Sequence, residues 1–458
     1  MLGMIIDTIS TFMYSKLLVI LLIGAGIYFT IRTKLPQIRL FKDACMAVVE
    51  KPEDGDGVSS FQALMVSTAS RVGTGNIVGV STAICIGGFG SVFWMWVIAI
   101  IGSASAFVES TLAQIFKKKG KDGECYGGPA YYIEAALHSR PLAIVFCISM
   151  IATYAFGFNM LASYNLQSTF SGFAFYDVKW SPWIIGGILA VITGWCLLGG
   201  GSRIVKVTST LVPIMGVAYI LISIVVLIIN HAYLPMVFTK IFEEAFDFNA
   251  IFGAFAGSAM MQGIRRGLYS NEAGMGCGAI VSAAAECSHP AKQGLIQSFS
   301  IYVDTLFIGT ATALIILLTG TFDVCDGAGN LLLDQTGGIE AGIKWTQYAL
   351  MNTYGTWSGK ALAIIIVLFV FTSMTGYCYQ AEANIRYLTH NSKLAVNICR
   401  AVFLAASFFG AIVNADAIWS MGDIGYGLMA WANIIAIALL APKASAMLED
   451  YEQQKKEG

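Results

Sequence analysis

Val72-Gly73-Thr74-Gly75-Asn76-Ile77-Val78-Gly79 stands at the centre of an apolar stretch covering residues 61–88. A hydrophobic run of about 20 residues is enough to carry a helix across a bilayer. Two glycines around a threonine, with an asparagine following, weaken that helix at the depth where an unpaired amide is most costly. By itself the motif has two readings. Gly75-x-x-x-Gly79 is a small-residue contact through which helices pack closely, and it is equally a place for backbone to unwind around a cavity or a ligand.

Composition sets the surroundings of this motif. Of the 458 residues 57% are hydrophobic, and Lys+Arg (27) with Asp+Glu (28) make up only 12%. Soluble domains carry about 25% charged residues, so this chain lacks the charge to cover a water-facing surface. Its mean hydropathy of +0.70 agrees. A soluble enzyme, a nucleic-acid-binding protein and a disordered scaffold are excluded on that ground. The ten cysteines stand singly with no C-x-x-C pair, and the four histidines show no zinc spacing. Neither a disulfide framework nor a metal enzyme is expected.

Eleven apolar runs have spanning length. A leading run lies near 14–33, and spans one to ten lie near 61–88, 91–116, 140–171, 181–199, 205–230, 249–278, 293–320, 359–386, 394–414 and 422–441. Segments 37–50 and 339–353 are amphipathic and belong at the surface or in loops. Basic residues gather in cytoplasmic loops. Here nineteen of the 27 fall on alternate loops and the tail, five on the opposite set, and Arg71, Arg265 and Arg266 within spans. The chain therefore reads as an all-α polytopic protein of the plasma (inner) membrane, N-terminus outside and C-terminus cytoplasmic. The expected organisation is a leading helix with a cytoplasmic linker (1–57), a first five-helix repeat (58–230), a second (231–441) and a cytoplasmic tail (442–458).

Span six repeats the pattern of interruption. It reads Gly253-Ala-Phe255-Ala-Gly257-Ser258-Ala-Met-Met-Gln262-Gly263 and, after Arg265 and Arg266, Gly267-Leu-Tyr-Ser-Asn-Glu-Ala-Gly-Met-Gly276. It comes five spans after span one, so the two run in opposite directions. Gly-interrupted spans at matching places of two halves point to a 5+5 inverted-repeat transporter. In such proteins the broken ends aim N–H groups at a substrate carboxylate, and freed carbonyls help to hold a cation.

The same stretches carry a family likeness. Gly73-Thr-Gly-Asn-Ile-Val-Gly-Val80 together with residues 267–276 resembles the alanine/glycine:cation symporter family, as do Cys125-Tyr-Gly-Gly-Pro-Ala-Tyr-Tyr-Ile133 and Val303-Asp304-Thr305. The likeness runs over spans one to eight. It implies a leucine-transporter-like fold with one extra N-terminal helix, and sodium-coupled uptake of small neutral amino acids such as alanine and glycine. Two places depart from the family pattern: Ala162, where members often have Gln, and Tyr377-Cys-Tyr-Gln-Ala-Glu382, in place of an aromatic-rich Tyr-Tyr-Gly-Glu stretch. Both bear on the shape of the pocket.

The resemblance also implies roles. Thr74 and Gly75 fall in the carboxylate-binding places of the Gly-Leu-Gly-Asn break of leucine transporters, so their backbone N–H groups are expected to hold the substrate carboxylate. Asn76 has an amide oxygen for a cation or ammonium, and it also suits the cap of the outer half-helix. Carbonyls around Phe255, Gly257 and Ser258 and the amide of Gln262 are expected near the ammonium. Phe255 and Tyr377 would be walls that exclude large side chains, though both also read as ordinary packing. For sodium, analogy with the fold sets the carbonyls of Ala69 and Val72 against the hydroxyls of Thr372 and Ser373. The alternative for those hydroxyls is bonding back to their own helical turn.

Charges inside an apolar span are functional candidates. Asp304 sits about twelve residues into span seven, near mid-depth. It reads either as a cation ligand or as the partner of Arg71, and the ion pair is the favoured reading. Arg266, Glu109, Glu272 and Glu382 read as gate or snorkelling charges. No cofactor is expected, sodium being cargo. The partners are the amino acid, the ion and the lipid bilayer, with no nucleic acid and no obligatory protein partner. A proton-coupled transporter with Asp304 as the protonated group is the nearest rival, followed by a channel or a non-transporting sensor. An intramembrane enzyme lacks a nucleophile–base pair or metal cluster within the spans. The 73–79 stretch also lacks the Gly-Lys-Ser/Thr ending of a nucleotide loop.

Overall fold

In lipid only a helix or a closed barrel satisfies its own amides, and the long apolar runs of this chain become helices. The computed structural model describes residues 16–50, 57–120, 125–247, 259–326, 330–413 and 415–457. Its membrane helices are α1 (Lys16–Arg32), α2 (Ser60–Arg71), α3 (Gly75–Gly87), α4 (Gly90–Ile115), α5 (Arg140–Thr169), α6 (Ser181–Leu197), α7 (Gly200–Ile229), α8 (Ala259–Asn271), α9 (Cys277–Ala284), α10 (Pro290–Thr319), α11 (Trp357–Leu388), α12 (Lys393–Gly410) and α13 (Ala415–Glu457). Among the described residues seven of these are long and apolar enough to cross a membrane alone. Span one is divided between α2 and α3, and span six between α8 and α9. Val191, Ile364 and Leu439 stay exposed on α6, α11 and α13, as lipid-facing side chains do. The two amphipathic segments form the short helices Phe41–Val48 and Ile343–Tyr354.

Two features position the site. α5 and α10 loosen into wider turns over Ala152–Phe158 and Tyr302–Gly309. Such turns shift side chains out of regular register and occur often at functional places; Asp304 lies in the second. The other feature is the interruption of span six. Of its two glycine-bearing stretches, 253–263 and 267–276, the described part of the first belongs to α8, which is continuous from Ala259 to Asn271. The break comes at 272–276, where Glu272, Gly274 and Gly276 take left-handed backbone with φ of 53°, 79° and 88°. Left-handed backbone costs an L residue roughly 1–2 kcal/mol and glycine nothing, so the last two glycines set the position. Residues 253–258 lie outside the described residues, and with them Phe255, Gly257 and Ser258.

α3 and α8 lie antiparallel. A Cβ on Gly87 would meet Ala259 Cα and Gln262 Cβ at 3.1 Å, and one on Gly75 would meet Tyr269 Cε1 at 3.4 Å. α4 packs along α8, α9 and α10, while α2 packs on α7 and α11. At the far end of the chain, α13 does not stop at 441. It continues through Pro442 to Glu457 as a helical tail. Lys455 Nζ bonds both carboxylate oxygens of buried Asp43 at 2.7 Å, and Arg39 bonds Glu452 at 2.6 Å. Lys292 and Glu50 pair nearby at 2.8 Å.

Candidate substrate and cation site

α2 ends because Val72 turns extended, with φ −74° and ψ 95°. The N–H of Gly73, which a continuing helix would give to Ala69, donates to Asn76 Oδ1 at 3.0 Å. The Ala69 carbonyl thereby loses its place in the helical ladder. Among the described residues no acceptor faces the N–H groups of Thr74 or Gly75. Two such amides at the start of α3 make an anion site of the kind helix N-termini provide. A Cβ on Gly73 would collide with Ser373 Oγ, so glycine is what lets α11 come this close.

Asn76 ties three elements together. Its Nδ2 donates to Asp304 Oδ1 at 2.7 Å, to the Asp304 carbonyl at 3.0 Å and to Ser270 Oγ at 3.0 Å. Asp304 Oδ2 in turn accepts from Ser270 Oγ at 3.0 Å and Thr305 Oγ1 at 2.8 Å. All these donors are neutral. Among the described residues no basic side chain lies within 4.0 Å of this carboxylate. The expected pair with Arg71 is not formed. Arg71 Nη1 donates to Ser300 Oγ and, at 3.2 Å, to Gln297 Oε1. These acceptors lie on α10 before its widened turn, and that turn carries Asp304 towards Asn76 instead. A buried carboxylate without a counter-charge is costly, and a cation is the natural partner for it.

The second set of sodium candidates divides. Ser373 Oγ donates to the Val72 carbonyl at 3.4 Å. Thr372 Oγ1 instead donates to the carbonyls of Leu368 and Phe369, at 2.9 and 3.1 Å, beside Met215. Neighbouring residues on a helix point about 100° apart, so one hydroxyl faces the break and the other faces α7. Tyr377 does stand in an aromatic wall, with ring centroids 5.1 Å from Tyr154 and 5.9 Å from Phe158. Phe158 lies 5.2 Å from Tyr269, which abuts Gly75. Tyr154, Phe158, Tyr269 and Ser270 had no role assigned from sequence, although the last two stand in the quoted family motif. Gln262 lies beside Gly87, about three helical turns along α3 from the break, and so is not at the amide site.

The second break is held by buried polar groups. Glu109 Oε2 accepts from the Gly276 N–H at 3.0 Å and from Asn433 Nδ2 at 2.9 Å, and Asn433 also donates to the Gly274 carbonyl at 2.8 Å. Glu272 accepts from Ser70 Oγ at 3.4 Å, so the two breaks adjoin. Glu109 and Glu272 are buried and do not snorkel. Arg266 sits on α8 with its carbonyl 3.9 Å from where a Cβ on Gly79 would be. Glu382 makes a two-pronged ion pair with Arg400, at 2.5 and 2.8 Å, joining α11 to α12. Arg400→Ala strands that carboxylate and is expected to cost about 2 kcal/mol after allowance for partial exposure. A fall in thermal unfolding midpoint that Glu382→Gln added to Arg400→Ala largely restores is the measurement.

Two interrupted antiparallel spans that adjoin around a buried polar hub define a secondary transporter of the leucine-transporter-like class. The fold is shared with MhsT in complex with L-phenylalanine, at TM-score 0.59 and 14% identity over 86% of this chain and 98% of that one. It is shared also with a manganese transporter of Eremococcus coleocola, at TM-score 0.52 and 11% identity over 87% and 81%. A model of the sodium:alanine symporter family matches residues 1–458. The chain belongs to that family and is a sodium-coupled amino-acid symporter, not an enzyme. It is 41% identical to the amino-acid carrier protein AlsT of Bacillus subtilis over 97% of this chain and 91% of that protein. It is 40% identical to a sodium/proton-dependent alanine carrier protein of Bacillus sp. PS3, over 88% and 90%. Identity to the sodium/alanine symporter AgcS of Methanococcus maripaludis is 34%, over 95% and 94%.

Proposed function

We propose that this protein imports small neutral amino acids, alanine and glycine first, together with sodium, by alternating access around the two adjoining breaks. One observation carries the reading: the Thr74 and Gly75 amides, which meet no acceptor among the described residues, lie next in sequence to Asn76, which is bonded to the Asp304 carboxylate, itself held only by neutral donors. The amides take the substrate carboxylate. Asp304, assisted by the freed backbone of Ala69 and Val72 and by Ser373, holds the cation. Tyr154, Phe158, Tyr269 and Tyr377 crowd the pocket and set an upper limit on side-chain size. The alanine named for AgcS and for the PS3 carrier supports alanine as the first substrate to test.

The N-terminus is assigned to the outside and the C-terminus to the cytoplasm. The ties of Arg39, Asp43, Glu50 and Lys292 with their partners at one end of the bundle support that orientation. One bundle of helices then rocks against the other to open the site inward. Each sodium moving inward gains about 2.3 kcal/mol per 100 mV of inside-negative potential. Sodium and substrate must raise each other's affinity by the same factor.

The test is radiolabelled alanine and glycine uptake into proteoliposomes under an imposed sodium gradient at fixed pH. Sodium is expected to stimulate uptake severalfold over choline, with saturation by substrate. Uptake that follows a proton gradient and ignores sodium selects the proton-coupled alternative. Absence of sodium-stimulated uptake for every small amino acid defeats the proposal.

A further inference from the structure

Where α4 and α11 finish and α5 begins, a cavity of about 400 Å³ opens, lined by Lys118, Lys119, Arg140, Arg386, His390 and Glu134 among others. Among the described residues Glu134 is the one carboxylate of the lining, and it accepts from the Tyr387 hydroxyl at 2.6 Å. Among the described residues no carboxylate lies within 4.0 Å of any of the four Lys and Arg side chains. Two of them are held by other means. Lys118 Nζ lies 5.9 Å from the Tyr131 ring centre, and the Arg386 guanidinium 5.8 Å from that of Tyr126. Arg386 Nη1 donates to Asn391 Oδ1 at 2.7 Å, across a turn in which His390 and Asn391 are both left-handed, φ 51° and 67°.

Long basic side chains repel one another and spread into water unless something holds them. Four around one hollow, where the one carboxylate among the described lining residues is already bonded, focus a positive field on whatever fills it. Two guanidinium groups offer planar forks that match phosphate oxygens, and two ammonium groups add point charge. Arg140 opens a membrane helix and Arg386 lies in the last turn of another. Both ends belong at the depth of lipid headgroups, where basic pockets between helices meet anionic lipid. We propose that this cavity is a phosphate-binding site, distinct from the transport site and filled by an anionic phospholipid headgroup or by a soluble phosphate.

The experiment uses the full chain in nanodiscs, and neither readout needs transport. In one arm phosphatidylglycerol is titrated into phosphatidylcholine discs, with lipid retained on the protein measured by native mass spectrometry and stability by thermal unfolding. In the other, inorganic phosphate is added to pure phosphatidylcholine discs against chloride at equal ionic strength. Arg140→Gln with Arg386→Gln is expected to weaken phosphate-group binding about thirtyfold, from roughly fivefold per basic residue. Lys393→Gln, an exposed basic change outside the cavity, should have no effect. If the double variant does not fold, exposed Lys119→Gln replaces it with an expected loss of about fivefold. A response to phosphatidylglycerol that the variant loses identifies the lipid, and one to inorganic phosphate identifies the soluble anion. Equal responses of wild type and variant in both arms overturn the site.

Discussion

Asp304→Asn is expected to abolish sodium-stimulated uptake while leaving a folded protein. The amide keeps the shape of the side chain and an acceptor for Asn76, but removes the negative charge. The direct donors to Asp304 are all neutral, so no ion pair in contact is lost with that charge. Losing a buried charge opposite a bound cation costs about 3 kcal/mol, roughly a hundredfold in sodium affinity. Stability without sodium should hold or rise, because a buried carboxylate with only neutral donors in contact has gone. Sodium titration of alanine uptake, paired with thermal unfolding in choline, reads both quantities. An unchanged half-saturating sodium concentration with a large fall in stability would make Asp304 a structural residue.

Gly73→Ala is the second large effect. The new methyl group meets Ser373 Oγ, and overpacking of this kind costs about 1–3 kcal/mol and displaces α11 from the break. Uptake should fall to background. Ser373→Ala then separates two roles of that hydroxyl. The Ser373 Cβ would stand 3.4 Å from the added methyl, an ordinary contact, so Gly73→Ala with Ser373→Ala should regain stability. If the hydroxyl is also a sodium ligand, the double variant stays poorly stimulated by sodium, and Ser373→Ala alone raises the sodium requirement without unfolding. A single Ser373→Ala variant with normal sodium dependence removes Ser373 from the cation site.

Much of the architecture was legible in composition and periodicity, because a bilayer demands long apolar helices and punishes charges within them. The break in span one was legible too, since Gly73, Gly75 and Asn76 are unusual at that depth. Span six shows where such reading stops. It carries two glycine-bearing stretches, and which residues of the second interrupt the helix is set by the left-handed backbone at Gly274 and Gly276, a conformation that composition does not report. Arg71 and Asp304 look like natural partners by charge, but the widened turn of α10 decides which face meets which. Thr372 and Ser373 are chemically alike and differ only in direction. Phe158 and Asn433 gave little warning, as one aromatic or one amide in an apolar span commonly serves packing.

The tail contact has a consequence for biosynthesis. Asp43 and Lys455 are 412 residues apart, and the Asp43 side chain is only 3% exposed once they meet. An even number of spans must be inserted between them for the two to reach the same side of the membrane. One missing or inverted span would leave Asp43 without its cation and the short Phe41–Val48 helix untethered. The contact is therefore formed last, and it distinguishes a correctly threaded chain from a misthreaded one.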